Sequence, residues 1–202
     1  MIMDITHSRT HRLMRACTQA SMHKCGARAH THTQVFRMAG VMNRDGNWAG
    51  GDYTMLVICG DLVDRGCNSF AMIDMIIHLN ASAIAEGGRV VAVIGNHELM
   101  NLNGIYSYTT TQDLDFTNGP EGRAAALMAG SKYGDFIRRH LRAYFMWNRV
   151  LFVHGGIHAD WATPGLNQMS AKLSTLLSRP KADLDAYYAD PINDMKCAPT
   201  AL

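Results

Sequence analysis

Met55-Leu56-Val57-Ile58-Cys59 runs without a break into Gly60-Asp61-Leu62-Val63-Asp64-Arg65-Gly66, and this stretch decides the fold. The first five residues are a short, continuous apolar run, which predicts a strand buried on both faces. The seven that follow put carboxylates and an arginine between glycines, where a strand has just ended. Downstream, Phe70, Ile73, Met75, Ile76, Ile77 and Leu79 predict a dense apolar helix stopped at Gly87-Gly88. A second apolar run, Val90-Val91-Ala92-Val93-Ile94, ends in Gly95-Asn96-His97-Glu98. Strand, helix and strand in so short a span make a βαβ unit with parallel strands.

A third run, Val150-Leu151-Phe152-Val153, stops at His154-Gly155-Gly156 and is read as a third buried strand. Open α/β sheets bind ligands beyond the carboxyl ends of their strands, so the three polar clusters are expected to converge there. Upstream, Asn43-Arg44-Asp45-Gly46-Asn47 and Gly50-Gly51 read as tight turns leading into the first run. The fold class expected is α/β.

Composition sets the limits around this centre. Of the 202 residues 48% are hydrophobic and 18% charged, which excludes disordered, collagen-like and coiled-coil chains and fits a globular domain. Even the most apolar stretch, Phe70 to Leu79, contains Asp74, so no membrane span is expected. Residues 1–34 hold five basic side chains against the single acid Asp4, and five of the ten histidines. That is the composition of an organelle transit peptide or of a disordered extension; His30 and His32 lack the partners of a metal tract. The remaining chain carries 14 basic against 16 acidic residues, so no nucleic-acid footprint is expected. Cys17, Cys25, Cys59, Cys67 and Cys197 are odd in number and without CxxC spacing, which reads as reduced thiols and a cytoplasmic setting, or an organelle if residues 1–34 are a transit peptide.

Asp61, Asn96 and His154 are ligand types that suit Mn, Fe or Zn. A strand-end carboxylate can bridge two such ions, which polarise a phosphoryl oxygen and acidify a water. His97, beside Asn96, is placed to protonate a leaving oxygen, with Asp64 fixing its tautomer. Arg65 offers a planar fork for phosphate oxygens. Taken singly, Asp64 and Arg65 also fit a surface ion pair, Asn96 a turn residue and His154 a satisfied strand end.

These residues fall in three motifs, GDxVDRG at Gly60–Gly66, GNHE at Gly95–Glu98 and HGG at His154–Gly156, that resemble those of phosphoprotein phosphatases in the calcineurin-like metallophosphoesterase superfamily. The flanks Phe36 to Val41, Asp45 to Trp48 with Gly50-Gly51-Asp52, Met100 to Gly104, and Leu151 to Gly156 with Trp161 are similar to those of Shewanella-like protein phosphatases. The resemblance covers residues 35–178. It implies a partial metallophosphoesterase β-sandwich flanked by helices, and two divalent metal ions, Mn, Fe or Zn. It further implies a bridging Asp61, Asn96 and His154 on the second metal, His97 as general acid with Asp64 as its partner, and Arg65 on phosphate.

Two family motifs are absent. The GDxHG of the first metal would fall near His23 to Ala27, which reads His23-Lys24-Cys25-Gly26-Ala27, and the later GH histidine has only His158, too close to His154, in its place. Ile105 and Ser107 stand where family members usually carry Asp and Arg. The expectation is a basic, histidine-rich segment at 1–34 and a C-terminally incomplete phosphoesterase domain at 35–202. The function expected is a metal-dependent phosphomonoesterase acting on phosphoprotein Ser/Thr or Tyr, or on small phosphoesters. The alternatives are a truncated or impaired member that binds a phosphopeptide or partner, and a dinucleoside polyphosphate hydrolase.

Overall fold

The computed structural model describes residues 12–16, 27–163 and 165–178. In chain order its elements are β1 (Arg12–Ala16), α1 (Ala27–Met38), β2 (Thr54–Cys59), α2 (Ser69–Ala85), β3 (Arg89–Val93), α3 (Asn96–Leu102), α4 (Thr111–Asp115), α5 (Gly119–Ala126), α6 (Lys132–His140), β4 (Phe145–Trp147), β5 (Val150–Phe152), α7 (Ala159–Ala162) and α8 (Leu166–Leu177). β1, β2 and β3 form one parallel sheet in that order, with Met55 opposite Arg89 and Cys59 opposite Val93. β1 and the start of α1 lie in the basic, histidine-rich segment 1–34.

β2 sits in the middle of this sheet and all six of its residues are buried. Its even positions, Leu56 and Ile58, face a core with Ile73, Ile76 and Leu79 of α2 and with Ile137, Met169 and Leu173. Its odd positions, Met55, Val57 and Cys59, meet Val91, Val93 and Phe152, with Phe145 and Trp147 against them. Cover on both faces is why the run is apolar without alternation. The α2 helix starts where the Asn68 side chain accepts a hydrogen bond from the Ala71 N–H at 2.9 Å, and it ends at Gly87, whose φ is +79°.

The third apolar run does not join the parallel sheet. It is β5, paired antiparallel with β4 in a two-stranded sheet, and Val150 and Leu151 are 37% and 40% exposed. The cause is the turn between them: Asn148 and Arg149 have φ of 43° and 66°, the left-handed pair of a two-residue type I′ hairpin. Only Phe152 turns fully inward, onto the second face of the parallel sheet. The result is a small sandwich-like second layer, and the chain leaves it at Val153 for the site.

The five cysteines are not all reduced. Cys59 is a buried thiol, but Cys67 is disulfide-bonded. An odd count excludes a pairing of all five and nothing more.

Candidate active site

The loops after β2 and β3 touch backbone to backbone. A Cβ added at Gly60 would stand 2.8 Å from the Gly95 Cα and from His154 Nδ1, and one at Gly95 would collide with Asp61. Glu98, in the first turn of α3, fastens this contact. Its Oε2 accepts from the N–H groups of Gly95 (2.7 Å) and Asp61 (3.0 Å), and its Oε1 from those of Leu62 (2.6 Å) and Val63 (3.1 Å). One buried carboxylate therefore satisfies four backbone donors from two loops. Burial, helped by the Asp61 charge, pushes the Glu98 carboxyl up, against these hydrogen bonds. Asp61, Asp64 and Arg65 all have positive φ, 56°, 65° and 54°, so backbone strain is concentrated in this one loop.

On one side of the loops, Asp61, Asn96 and His154 meet. His154 Nε2 lies 3.2 Å from Asp61 Oδ1 and 3.0 Å from Asn96 Oδ1. His154 Nδ1 is 2.7 Å from the Cys59 carbonyl oxygen, which can only accept, so Nδ1 carries the proton. In the neutral ring Nε2 is then a lone pair facing two oxygen lone pairs, an arrangement that a cation resolves. Ions of the Mn and Zn type bind N and O at about 2.0–2.2 Å, which leaves neighbouring ligand atoms roughly 3 Å apart. The three side chains fit one divalent ion. Among the described residues no group of three His, Cys, Asp or Glu forms a metal cluster, so the Asn96 amide is needed to complete this set.

On the other side lies His97, buried at 2% exposure. Its Nδ1 is 2.8 Å from Asp64 Oδ2, and its Nε2 points back toward the first group, 3.9 Å from Asp61 Oδ2. Asp64 is buried too, and its ion partner is Arg123 of α5 rather than Arg65. Burial pushes the Asp64 carboxyl up, but hydrogen bonds from His97, Thr109 and Asn101 and the Arg123 charge outweigh it and hold it below the usual carboxylate range. An ionised Asp64 can only accept, so His97 Nδ1 is the donor. Arg65 is exposed; its guanidinium lies over the Tyr108 ring at 5.4 Å, and among the described residues it has no carboxylate partner. Tyr108 stands edge-on to His97 at 5.1 Å, so it links the two.

Of the six residues singled out in the sequence, Asp61, Asn96 and His154 meet directly, His97 reaches them with Asp64 behind it, and Arg65 joins only through Tyr108. Sequence reasoning missed Asn101, Thr109, Asp113 and Arg123, which surround Asp64 or brace its neighbours. Asn101 was within reach, four residues after His97 and so on the same helix face; Arg123 looked like any solvated charge. Of the stretch where GDxHG was sought, His23 to Ala27, all but Ala27 lies outside the described residues, as does everything after 178.

Fold and site together define an α/β protein whose polar centre is built from loops at strand ends, with a metal-type ligand set beside a histidine–aspartate pair. The sequence profile of the calcineurin-like phosphoesterases matches residues 22–193, and the chain belongs to that family. It is 28% identical over 142 residues to Shewanella-like protein phosphatase 1 of Plasmodium berghei, covering 68% of this chain and 38% of that protein. It is 34% identical over 82 residues to Shewanella-like protein phosphatase 2 of Arabidopsis thaliana, covering 41% and 21%. The crystal structure of the cold-active protein-tyrosine phosphatase of a psychrophilic Shewanella species superposes with a TM-score of 0.72 at 24% identity, over 86% of this chain and 52% of that one. The chain therefore spans about half the length of that structure and less than half of these two relatives.

Proposed function

We propose that the protein is a metal-dependent phosphatase that hydrolyses phosphomonoesters, with phosphorylated Ser, Thr or Tyr side chains of proteins as the substrate class. The observation that carries this reading is the meeting of the Asp61, Asn96 and His154 lone pairs within 3.2 Å of His154 Nε2, with His97 Nε2 on the same carboxylate. In this reading Asp61, Asn96 and His154 hold a divalent ion, Mn, Fe or Zn, and Asp61 is the residue able to reach a second. When bound, such ions polarise a phosphoryl oxygen and lower the pKa of a bound water. His97 gives its Nε2 proton to the departing ester oxygen, while Asp64 keeps Nδ1–H and the ring orientation fixed. Arg65, held by a backbone hydrogen bond to the Tyr108 carbonyl at 3.1 Å and, among the described residues, without a carboxylate partner, takes phosphate oxygens. The likeness to Shewanella-like and tyrosine phosphatases supports the substrate class. Full-length protein with added Mn should release phosphate from 4-nitrophenyl phosphate, and His97→Ala should abolish the release; no difference between the two proteins sinks the proposal.

One observation favours a second reading, an impaired member that binds phosphoproteins. The GDxHG of the first metal and the later GH histidine are missing from the sequence, and a single carboxylate such as Asp61 holds no ion at working concentration. Two tightly bound ions per chain would dismiss it.

A further inference from the structure

Asp64 has about four lone-pair sites, and all are taken by four donors, two from α3, one from the loop after it and one from α5. Oδ2 accepts from His97 Nδ1 (2.8 Å) and Asn101 Nδ2 (2.7 Å); Oδ1 accepts from Thr109 Oγ1 (2.6 Å) and the Arg123 guanidinium (3.3 Å). The guanidinium reaches further. Its Nε donates to Asn101 Oδ1 at 2.6 Å, which turns the Asn101 amide so that Nδ2 faces Asp64. Another of its nitrogens donates to Asp113 Oδ2 at 3.1 Å, and Asp113 accepts from both the N–H and the hydroxyl of Ser69. Ser69 Oγ in turn accepts from the Asp64 N–H at 3.0 Å. Arg123 is wholly buried, with its plane beside Phe70 (5.2 Å) and Tyr106 (5.8 Å). It therefore fixes both the carboxylate and the backbone of Asp64, a residue held at a strained φ of 65°.

We propose that Arg123 and Thr109 are positioning residues for His97, acting through Asp64: they lock the carboxylate so that the imidazole Nε2 stays aimed at the Asp61 side of the site. Neither touches the reacting atoms. A lysine cannot replace the fork, because one ammonium does not span Asn101, Asp64 and Asp113 in a plane. The proposal rests on the reading of His97 as the acid, so its test has one arm that needs no turnover.

That arm is the proton spectrum. His97 Nδ1–H, buried and bonded to a carboxylate, gives a downfield line assigned by its loss in His97→Ala. Arg123→Lys and Thr109→Val should shift or broaden this line, and Thr109→Ser, which keeps the hydroxyl, should restore it. The second arm compares leaving groups with the Mn-loaded full chain. Phenyl phosphate needs its leaving oxygen protonated more than 4-nitrophenyl phosphate does. The two defective variants should lose about tenfold in kcat on phenyl phosphate, with KM within about twofold, and distinctly less on the nitrophenyl ester. Equal losses on both esters with an unmoved His97 line would mean a merely structural role and overturn the proposal, as would unchanged behaviour of folded Arg123→Lys. Should Arg123→Lys not fold, the Thr109 pair decides on the same two readouts. Absence of turnover in the wild type refutes the phosphatase reading alone, and the proton line still decides the positioning claim.

Discussion

The two halves of the site solve opposite problems. Around Asp64 every polar atom has a protein partner: four donors surround the carboxylate, Arg123 spans two buried acids, and nothing is left for solvent or ligand. Around His154, by contrast, Nε2 meets the oxygens of Asp61 and Asn96 at 3.2 and 3.0 Å, and the ring's own proton points away, to the Cys59 carbonyl. The first half is finished by the chain itself. The second is built to be finished by a cation, and it is the more exposed of the two, with side chains of Asp61 and His154 at 22% and 18%. Preorganisation of the proton donor and openness toward an ion are separate properties, carried by residues as close in sequence as Asn96 and His97.

The comparison can be broken most forcefully at its buried charge. Arg123→Met leaves Asp64 and Asp113 without their cation, and unfolding in urea should show a loss of about 3–5 kcal/mol. A loss below about 1 kcal/mol would mean that the finished half is not held by this ion pair. Between the halves stands Glu98. Glu98→Gln places an amide where four backbone donors need an acceptor, and the same unfolding experiment should show about 2–3 kcal/mol lost. The ion side responds to ligand instead: Mn should stabilise the wild type by about 2.7 kcal/mol at a hundredfold excess over Kd, read as a rise in Tm that EDTA reverses, and His154→Ala should remove the rise. Arg123→Lys, if it folds, should leave that rise in place, since the two halves are distinct.

The smallest effect is in pH. Asp64 is held below its ordinary range in the folded protein, so the stability it supplies is complete above the unfolded carboxylate value of about 3.9 and fades as pH falls through the folded value. The stability gap between wild type and Asp64→Asn should therefore be constant from neutral pH down to about 4 and shrink below it. A gap that widens on acidification would contradict the direction of the shift.

Much of the site was legible because its residues sit at strand ends. Apolar runs of five residues name the strands β2 and β3, and the glycine-flanked clusters after them, Asp61 to Arg65 and Asn96 to Glu98, had to meet once those strands were parallel. What was not legible is what lies behind the site. Thr109, Asp113 and Arg123 come from turns and short helices whose order in space depends on tertiary packing, and a buried arginine has the same letter as a surface one. The third run was read as fully buried for a related reason: four apolar residues fit a buried strand or half of a partly exposed hairpin equally well, and the Asn148-Arg149 turn, without a glycine, gave a weak signal. It still delivered His154 to the expected point. The disulfide at Cys67 shows the limit of arithmetic on cysteines, since an odd count says nothing about any one of them.

The central claim is that Asp61, Asn96 and His154 form a divalent-cation site. Calorimetric titration of the metal-stripped full chain with Mn tests it most directly. The account predicts saturable binding of at least one ion per chain that is lost in His154→Ala and kept in Thr109→Val. Absence of binding to the wild type, or undiminished binding to His154→Ala, would contradict it.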